Sequence, residues 1–488
     1  MDAAGTDSLV VGFDLDMTLV DTRPGVVAAL EALRTDTGYP VDAAAIAGRL
    51  GPPLDLLLQE DHPELDPDVV RDLVTRFRVL YPGLAVAPTL ALAGAHEALA
   101  AVRVHGGRTL VVTGKHAPNA LLHTEALAFD VDEVVGGTWG VGKGAVLREH
   151  GASVFVGDHV HDVEGARAAG VLSVSVLTGS STEAELRAAG TDVVLDSLAA
   201  FPAWLEEHVL LRRTAALEER LRGLGSVLVA FSGGADSALV LAAAVRVLGA
   251  DRVAAATAYS GSLPARERDP ARAFAAGLGV RVLTPETHEM EREGYRRNAG
   301  DRCFHCKAEL LDVLTPLAQA HGLAAVATGT NADDLVAGFR PGIRAAAQRG
   351  ACTPLADAGL TKAQVREVSR RWGLPTWDKP AAACLSSRIA YGLEVTPAGL
   401  ARVERAEEAV RRALAGLGLT AADLRVRDLG DSASIELDRD LVAGLAPDAV
   451  AALTEAVRGE GFTAARVDPR GFRSGAMNER LPDPTRWR

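Results

Sequence analysis

The stretch LVVGFDLDMT (residues 9–18) decides the reading of the first half of the chain, and VLVAFSGGADSAL (residues 227–239) decides the second. Each begins as a short apolar run of strand length and then breaks into polar residues. Outward from the first, TLVVTGK, SVFVGDH and VLSVSVL read as further buried strands with helical periods between them. This alternation predicts an α/β fold of doubly wound parallel sheets. Residues 23–88 depart from it. They are more helical, richer in Asp and Pro, and show no clear strand, so they predict a helical insertion between the first two strands of the first sheet. A second α/β unit opens near residue 224. After about 395, LRVRDLG, ASIELD and AARVDPRGF predict a small α+β module. The expected divisions are 1–205, a linking helix over 206–223, then 224–395 and 396–488.

A chain of 488 residues has room for about three domains. The apolar fraction of 48% lets each bury its own core, and the net charge of −13 argues against a whole-chain nucleic-acid binder. The charge is uneven. Residues 1–205 carry 28 acids and 13 bases, the remainder 36 and 38, which predicts two units of different character. Only five of the basic residues are lysines, Lys115, Lys143, Lys307, Lys362 and Lys379, so each is a candidate for a role. No apolar run approaches the length of a membrane span. The opening MDAAGTDS is too acidic and polar for a leader peptide. Four cysteines are too few for a disulfide scaffold, which predicts a cytosolic protein with reduced thiols.

Asp14 and Asp16 fall at the end of the first strand, where open parallel sheets bind ligands. A strand period of two puts their side chains on one face. Paired carboxylates there can hold Mg²⁺, and one of them can attack phosphorus. Thr113 ends the next run and offers a hydroxyl to phosphoryl oxygens. Lys143, in GVGKGAVL, offers a positive charge to a developing transition state. Asp158 and Asp162, in VGDHVHD, add metal ligands to Asp14 and Asp16. A lone Asp-x-Asp is a weak signal, but four pieces in this order, each after a strand, are a strong one. The series resembles the haloacid dehalogenase superfamily of phosphatases over residues 9–200, with 23–88 as its helical cap. The resemblance implies that Asp14 is the nucleophile and Asp16 the general acid/base.

In the second unit, Ser232, Gly233, Gly234, Asp236 and Ser237 form a loop between a strand and a helix. Glycines let the backbone approach phosphate, and the amides at the helix start point at the anion. The Walker Gly-Lys-Ser/Thr is missing. The loop resembles the pyrophosphate loop of ATP pyrophosphatases, which leave AMP on a carbonyl or carboxylate oxygen. Further along come Cys303 and Cys306 in DRCFHCKAEL, and Asn331, Asp333 and Asp334 in TGTNADDL. Cys384 and Arg388 follow in WDKPAAACLSSR, then LRVRDLG and GFRSGAMNE. This series resembles the ATP-dependent sulfur transferases of the nickel-pincer nucleotide pathway (the LarE family) over nearly all of residues 214–480.

That resemblance implies an enzyme that adenylates a carboxylate of a pyridinium mononucleotide and turns it into a thiocarboxylate. ATP would contact Ser232, Gly233, Gly234, Asp236, Ser237, Asn331, Asp333, Asp334 and Arg388, with Mg²⁺ on Asp236. Arg425, Arg427, Glu436 and Arg473 would line a pocket for the substrate phosphate, a role that suits arginine forks. Cys384 would attack the acyl-adenylate, and Arg388, four residues on, could lower its pKa. In one-cysteine members the cysteine is consumed and becomes dehydroalanine. The family also implies a homo-oligomer, a hexamer among its members.

Cys303 and Cys306 extend the picture. With Cys384 they make three thiolates, enough for a [4Fe–4S] cluster with one open iron that carries sulfide. A Cys-x-x-Cys can equally be half of a zinc site completed by Cys384, Cys352 or His305, or a redox pair. Amide formation, tRNA thiolation and a non-catalytic metal scaffold are the competing functions. The near-neutral second half and the lack of a basic run weigh against tRNA.

Overall fold

The computed structural model describes residues 9–338, 340–380, 383–473 and 475–480. The MDAAGTDS segment read above for a leader lies outside the described residues, as do Ala381, Ala382 and Ser474 of the two motif stretches. The chain forms two compact units, Met1–Val209 and Leu210–Arg488.

The first unit contains strands β1 (Val10–Phe13), β2 (Val20–Asp21), β3 (Leu90–Ala91), β4 (Arg108–Val112), β5 (Glu133–Val135), β6 (Val154–Gly157), β7 (Leu172–Val176) and β8 (Val193–Leu195). Six of them make one parallel sheet in the order β5-β4-β1-β6-β7-β8. β1 lies in the middle because both its faces are apolar, with Val10, Val11 and Phe13 buried. Chain order reverses at β1, between β4 and β6, so the crevice beyond these strands is the expected binding position.

The insertion expected over 23–88 is helical, with helices Arg23–Thr37, Ala43–Ala47, Leu54–Asp61 and Pro67–Ala85. These helices close around their own core of Leu30, Leu33, Ile46, Leu58 and Phe77. The chain leaves and re-enters the sheet unit through the antiparallel β2–β3 pair.

The linking helix runs from Phe201 to Leu224 and takes in the 206–223 read from sequence as the linker. Phe201, Leu205 and Val209 belong to the first core, and Leu210, Leu217 and Leu221 to the second.

The second unit is built on β9 (Val227–Ala230), β10 (Val253–Ala256), β11 (Arg281–Leu283) and β12 (Ala325–Ala327), a parallel sheet in the order β11-β10-β9-β12. The helix after β9, Ala235–Leu248, is apolar around most of its circumference and is buried accordingly. Further on, β13 (Leu424–Asp428) pairs antiparallel with β14 (Ser432–Leu437), which pairs parallel with β15 (Ala464–Val467). Helices Pro397–Gly416 and Pro447–Arg458 supply Val403, Val410 and Leu453 to its core. Tyr295, Leu385 and Ile389 join that core from earlier in the chain, which anchors the segments on either side of the thiols. Among the described residues, no helix is long and apolar enough to cross a membrane.

Candidate functional sites

The crevice of the first unit collects the four pieces read from sequence. Asp14 follows β1 and donates its backbone N–H to Val156 O at 2.8 Å, which ties it to β6. Lys143, at the start of helix Lys143–Glu149, donates to Asp14 Oδ1 at 2.7 Å and to Asp162 Oδ1 at 2.6 Å. Asp158 follows β6 and accepts from the Thr18 hydroxyl at 2.8 Å. Thr113 is buried at the end of β4. Asp14, Asp158 and Asp162 are all buried, and each has a carboxylate oxygen within 4.8 Å of the others.

This geometry fits a divalent cation. Burial pushes the Asp14 carboxyl up to about 7 against the pull of Lys143, with Asp162 and Asp16 adding repulsion. Burial, then Asp162 and Asp14, also hold Asp158 well above the ordinary carboxylate range. Lys143 alone therefore leaves the trio under-compensated, and a hard cation with oxygen ligands would relieve it. The backbone makes room for these carboxylates. A Cβ on Gly179 would stand 1.7 Å from Asp158 Oδ2, and one on Gly157 would stand 2.4 Å from the Asp162 carboxyl carbon.

Asp16 is not part of the trio. β1 ends at Phe13 and Met17 takes a φ of +59°, so the two-residue alternation that put Asp14 and Asp16 on one face stops before it reaches Asp16. The Asp16 carboxylate instead accepts from the Thr22 hydroxyl and pairs with Lys115 Nζ at 3.0 Å. The Mg²⁺ contact expected of its side chain is thus corrected to a contact with Lys115. Beside it lies a cavity of about 100 Å³. Apolar residues of the insertion, such as Ile46, Leu57 and Phe77, line it together with Arg78, Lys115 and Asn119.

In the second unit the loop Ser232–Ser237 turns from β9 into helix Ala235–Leu248. Gly233 has a φ of +74°, a conformation that suits only glycine here, because a Cβ would stand 2.9 Å from Ala271. Gly234 is the N-cap, and Ser237 Oγ accepts the Ser232 N–H at 3.3 Å. The Asp236 carboxylate takes Lys362 Nζ on one oxygen and Asn331 Nδ2 on the other, the latter at 3.1 Å. Lys379 Nζ donates to Gly233 O at 2.9 Å. Ser232, Asp236, Ser237 and Asp334 open on a cavity of about 360 Å³ that Cys306, Lys307 and Cys384 also line. Asp333 points elsewhere. It accepts the Lys362 backbone N–H at 2.8 Å at the start of helix Lys362–Arg371, so the ATP contact read for it is corrected to a helix-capping bond.

A second cavity of about 440 Å³ is lined by Cys303, Cys306 and Cys384 with Arg302, Arg340 and Tyr391. It shares Cys306, Lys307, Leu310, Thr330, Asp334 and Cys384 with the first. Among the described residues, these thiols do not form a group with all sulfurs within 4.8 Å, the spacing a single ion requires. Burial pushes the Cys306 thiol up, and the neighbouring Cys384 adds to it. Arg302, Lys307 and Arg340 are the cations beside the thiols, and Arg302 acts on Cys303 most strongly. Burial opposes the Arg302 charge, while Cys384 and Cys303 sustain it. Arg388 is corrected on both counts. It is buried, with Nε donating to Glu407 Oε1 at 2.8 Å, and it binds the carbonyls of Ala383 and Cys384 rather than a nucleotide or the thiol.

Arg425, Arg427 and Glu436 share one face of the β13–β14 pair, with Arg425 opposite Glu436. Arg427 donates to Glu436 Oε2 at 2.9 and 2.7 Å and to Ser387 O at 3.0 Å. Burial, then Arg388, bring the Arg425 guanidinium down to about 10. Arg473 pairs with Glu479, and Glu436 lies within its electrostatic reach.

A family model described as haloacid dehalogenase-like hydrolase matches residues 11–176. A probable phosphatase, IndB, of Dickeya dadantii is 31% identical over 207 residues, which span 38% of this chain and 89% of that protein. An uncharacterized protein of Synechocystis is 42% identical over 259 residues, 53% of this chain and 94% of that one. The pyridinium-3,5-bisthiocarboxylic acid mononucleotide synthase of Lactiplantibacillus plantarum is 34% identical over 274 residues, 56% of this chain and 96% of the synthase. The chain belongs to both families. It is a haloacid dehalogenase-like hydrolase fused to a LarE-family protein.

In the hydrolase unit, sequence motifs located Asp14, Thr113, Lys143, Asp158 and Asp162, which the fold brings together. They gave no role to Thr18, the last residue of the FDLDMT run, and missed Thr22 and Tyr81, which carry no motif, and they found Lys115 only through the scarcity of lysine. In the LarE-family unit the loop and the three cysteines converge on adjoining cavities. Arg302 and Glu407 were missed. Arg302 could have been suspected from its place directly before Cys303, whereas nothing in the sequence pointed to Glu407.

Proposed function

We propose that this is a bifunctional enzyme, a Mg²⁺-dependent phosphomonoesterase joined to an adenylating sulfur transferase. The observation that carries the first activity is Lys143 bridging Asp14 and Asp162 inside a buried carboxylate trio at the sheet's switch point. An Asp14 oxygen attacks phosphorus, the ester P–O bond breaks, and the Asp16 proton passes to the leaving alkoxide. Water then attacks the aspartyl phosphate, Asp16 takes its proton, and orthophosphate leaves Asp14 as a free carboxylate. Lys143 and Thr113 hold the phosphoryl oxygens. Asp14, Asp158 and Asp162 would hold Mg²⁺, which supplies positive charge to the transferring group. The small cavity under the insertion favours a short phosphorylated metabolite over a nucleotide, since pockets for drug-sized ligands run about 300–1,000 Å³. Release of phosphate from small esters, abolished in Asp14→Asn, tests this reading. Full activity in that variant would overturn it.

The observation that carries the second activity is the shared wall between the loop cavity and the thiol cavity. A substrate carboxylate attacks the α-phosphorus of ATP, and pyrophosphate departs past the loop of Ser232–Ser237. A sulfur nucleophile at the shared wall then attacks the acyl-adenylate and AMP leaves, which makes a carbon–sulfur bond. If Cys384 is that nucleophile, its Cβ–Sγ bond breaks by elimination, the Cα proton is lost, and thiocarboxylate and dehydroalanine result. Cys303, Cys306 and Cys384 would hold a [4Fe–4S] cluster, which supplies sulfide from its open iron and spares the cysteine. Arg425, Arg427 and Arg473 present charge for a substrate phosphate.

Iron and acid-labile sulfide after anaerobic purification test the sulfur source. About four irons per chain, lost in Cys303→Ser, support the cluster. Absence of both iron and sulfide, with dehydroalanine at Cys384 after one turnover, would assign the consumed-cysteine route instead. ATP–pyrophosphate exchange dependent on the carboxylate substrate tests adenylation in either case.

A further inference from the structure

We propose that Tyr81 and His123 are positioning residues that act on Asp16 through Lys115. The proposal rests on reading the first unit as a phosphatase. Lys115 Nζ lies 3.0 Å from Asp16 Oδ1 and donates to the Tyr81 hydroxyl at 2.8 Å. The Tyr81 hydroxyl lies 2.9 Å from His123 Nε2. The polarity of this chain follows from its members. An ammonium group has donors only, so Tyr81 must accept from Lys115 and give its single proton to His123. His123 Nε2 is then the bare acceptor, and its ring proton sits on Nδ1. Burial, with Lys115 nearby, brings His123 down to about 4, which agrees with a neutral ring.

Among the described residues, the buried His123 Nδ1 has no partner. Buried polar groups are nearly always satisfied, so this orphan is a cost that the fold carries. The whole chain is aimed at its other end, the Asp16 carboxylate. It also joins four separate elements. Tyr81 comes from the insertion helix Pro67–Ala85, His123 from helix Ala117–Ala126, Lys115 from the loop after β4, and Asp16 from the loop after β1. Ring contacts hold Tyr81 in place, with Phe77 at 5.3 Å and His123 at 5.6 Å between centroids. A lysine stem is flexible and would not fix its ammonium group unaided. Tyr81 and His123 fix it, and the seating of the insertion thereby sets the aim of the acid that protonates the leaving alkoxide.

Two small substrates of nearly equal size, an ester and an acyl phosphate, separate this role from a structural one. Ethyl phosphate needs a proton on its leaving oxygen, whereas acetyl phosphate releases acetate without one. Reported as kcat/KM, the comparison stops at the first irreversible step, where the Asp14–phosphorus bond forms and the ester bond breaks. In the full chain, Tyr81→Phe should lower kcat/KM for ethyl phosphate about tenfold, part of the roughly 10²–10⁴ that a general acid supplies. Acetyl phosphate should stay within about twofold, which also shows that the variant is folded. His123→Leu should repeat the pattern. His123→Gln, which restores an acceptor near the Nε2 position, should recover most of the ethyl phosphate rate. Equal losses on both substrates would make Tyr81 merely structural, and no loss on either would remove it from the acid step. Failure of the unsubstituted chain to hydrolyse either substrate would overturn the phosphatase reading, and the proposal with it.

Discussion

Glu407 Oε1 accepts from Arg388 Nε at 2.8 Å, with 4% and 1% of their side chains exposed, and the same guanidinium holds the carbonyls of Ala383 and Cys384. The segment that presents the Cys384 thiol is therefore clamped from beneath by a buried ion pair. Glu407 also accepts the Val426 backbone N–H at 3.2 Å, so the clamp reaches the three-stranded sheet.

Removing one partner of such a pair strands the other charge. Glu407→Ala should destabilise the second unit by about 3–5 kcal/mol. Urea unfolding should show this in one transition and leave that of the first unit unchanged. A Glu407→Leu/Arg388→Met double variant should recover much of the loss, while sulfur transfer stays impaired because the Ala383 and Cys384 carbonyls lose the guanidinium that holds them.

Arg302 is a buried guanidinium that lines the thiol cavity, and it also donates to Ser386 O at 2.8 Å. Arg302→Met should slow the sulfur step about tenfold or more, since a nearby cation favours thiolate over thiol. Carboxylate-dependent ATP–pyrophosphate exchange should change little. A parallel fall in both assays would place Arg302 in ATP binding instead.

Gly179 faces Asp158 across a gap too small for any side chain. Gly179→Ala should raise the Mg²⁺ concentration needed for half-maximal phosphatase activity about 10–100-fold, the range seen when support around metal ligands is lost. Titration of activity against Mg²⁺ reads this, and ATP-dependent chemistry in the other unit serves as the internal control.

The buried carboxylate trio also predicts metal-linked stability. Mg²⁺ at a hundred times its dissociation constant should stabilise the first unit by about 2.7 kcal/mol. Calorimetry with and without Mg²⁺ should show the gain in the unsubstituted protein and lose it in Asp158→Asn.

The local parts of this molecule were legible in its sequence, and the parts that depend on distant partners were not. Asp158 and Lys143 could be placed because each follows a strand or opens a helix, and the order of strands fixes where those ends meet. Asp16 could not, because its direction depends on how the chain turns at Met17 rather than on strand period. Arg388 misled for a related reason. Nearness to Cys384 in sequence suggested a partner for the thiol, whereas the charge is claimed by Glu407 on helix Pro397–Gly416. Asp333 sits in a motif-like TNADD run, yet one backbone amide at Lys362 accounts for its orientation.

The five lysines all lie at the two sites. Lys115 and Lys143 pair with Asp16 and Asp14, Lys362 and Lys379 bind the Ser232–Ser237 loop, and Lys307 lines both cavities beside the thiols. Every other basic side chain is arginine or histidine. The protein thus has no lysine amine to spare for its surface. Acylation, whether by a succinimidyl ester on the bench or by a reactive acyl phosphate in the cell, would fall on working residues first. Lys362, 38% exposed, stands open to it, and Lys143 is fully shielded. The same arrangement turns amine chemistry into a footprint of occupancy, in which bound nucleotide is read as peptides that fail to label.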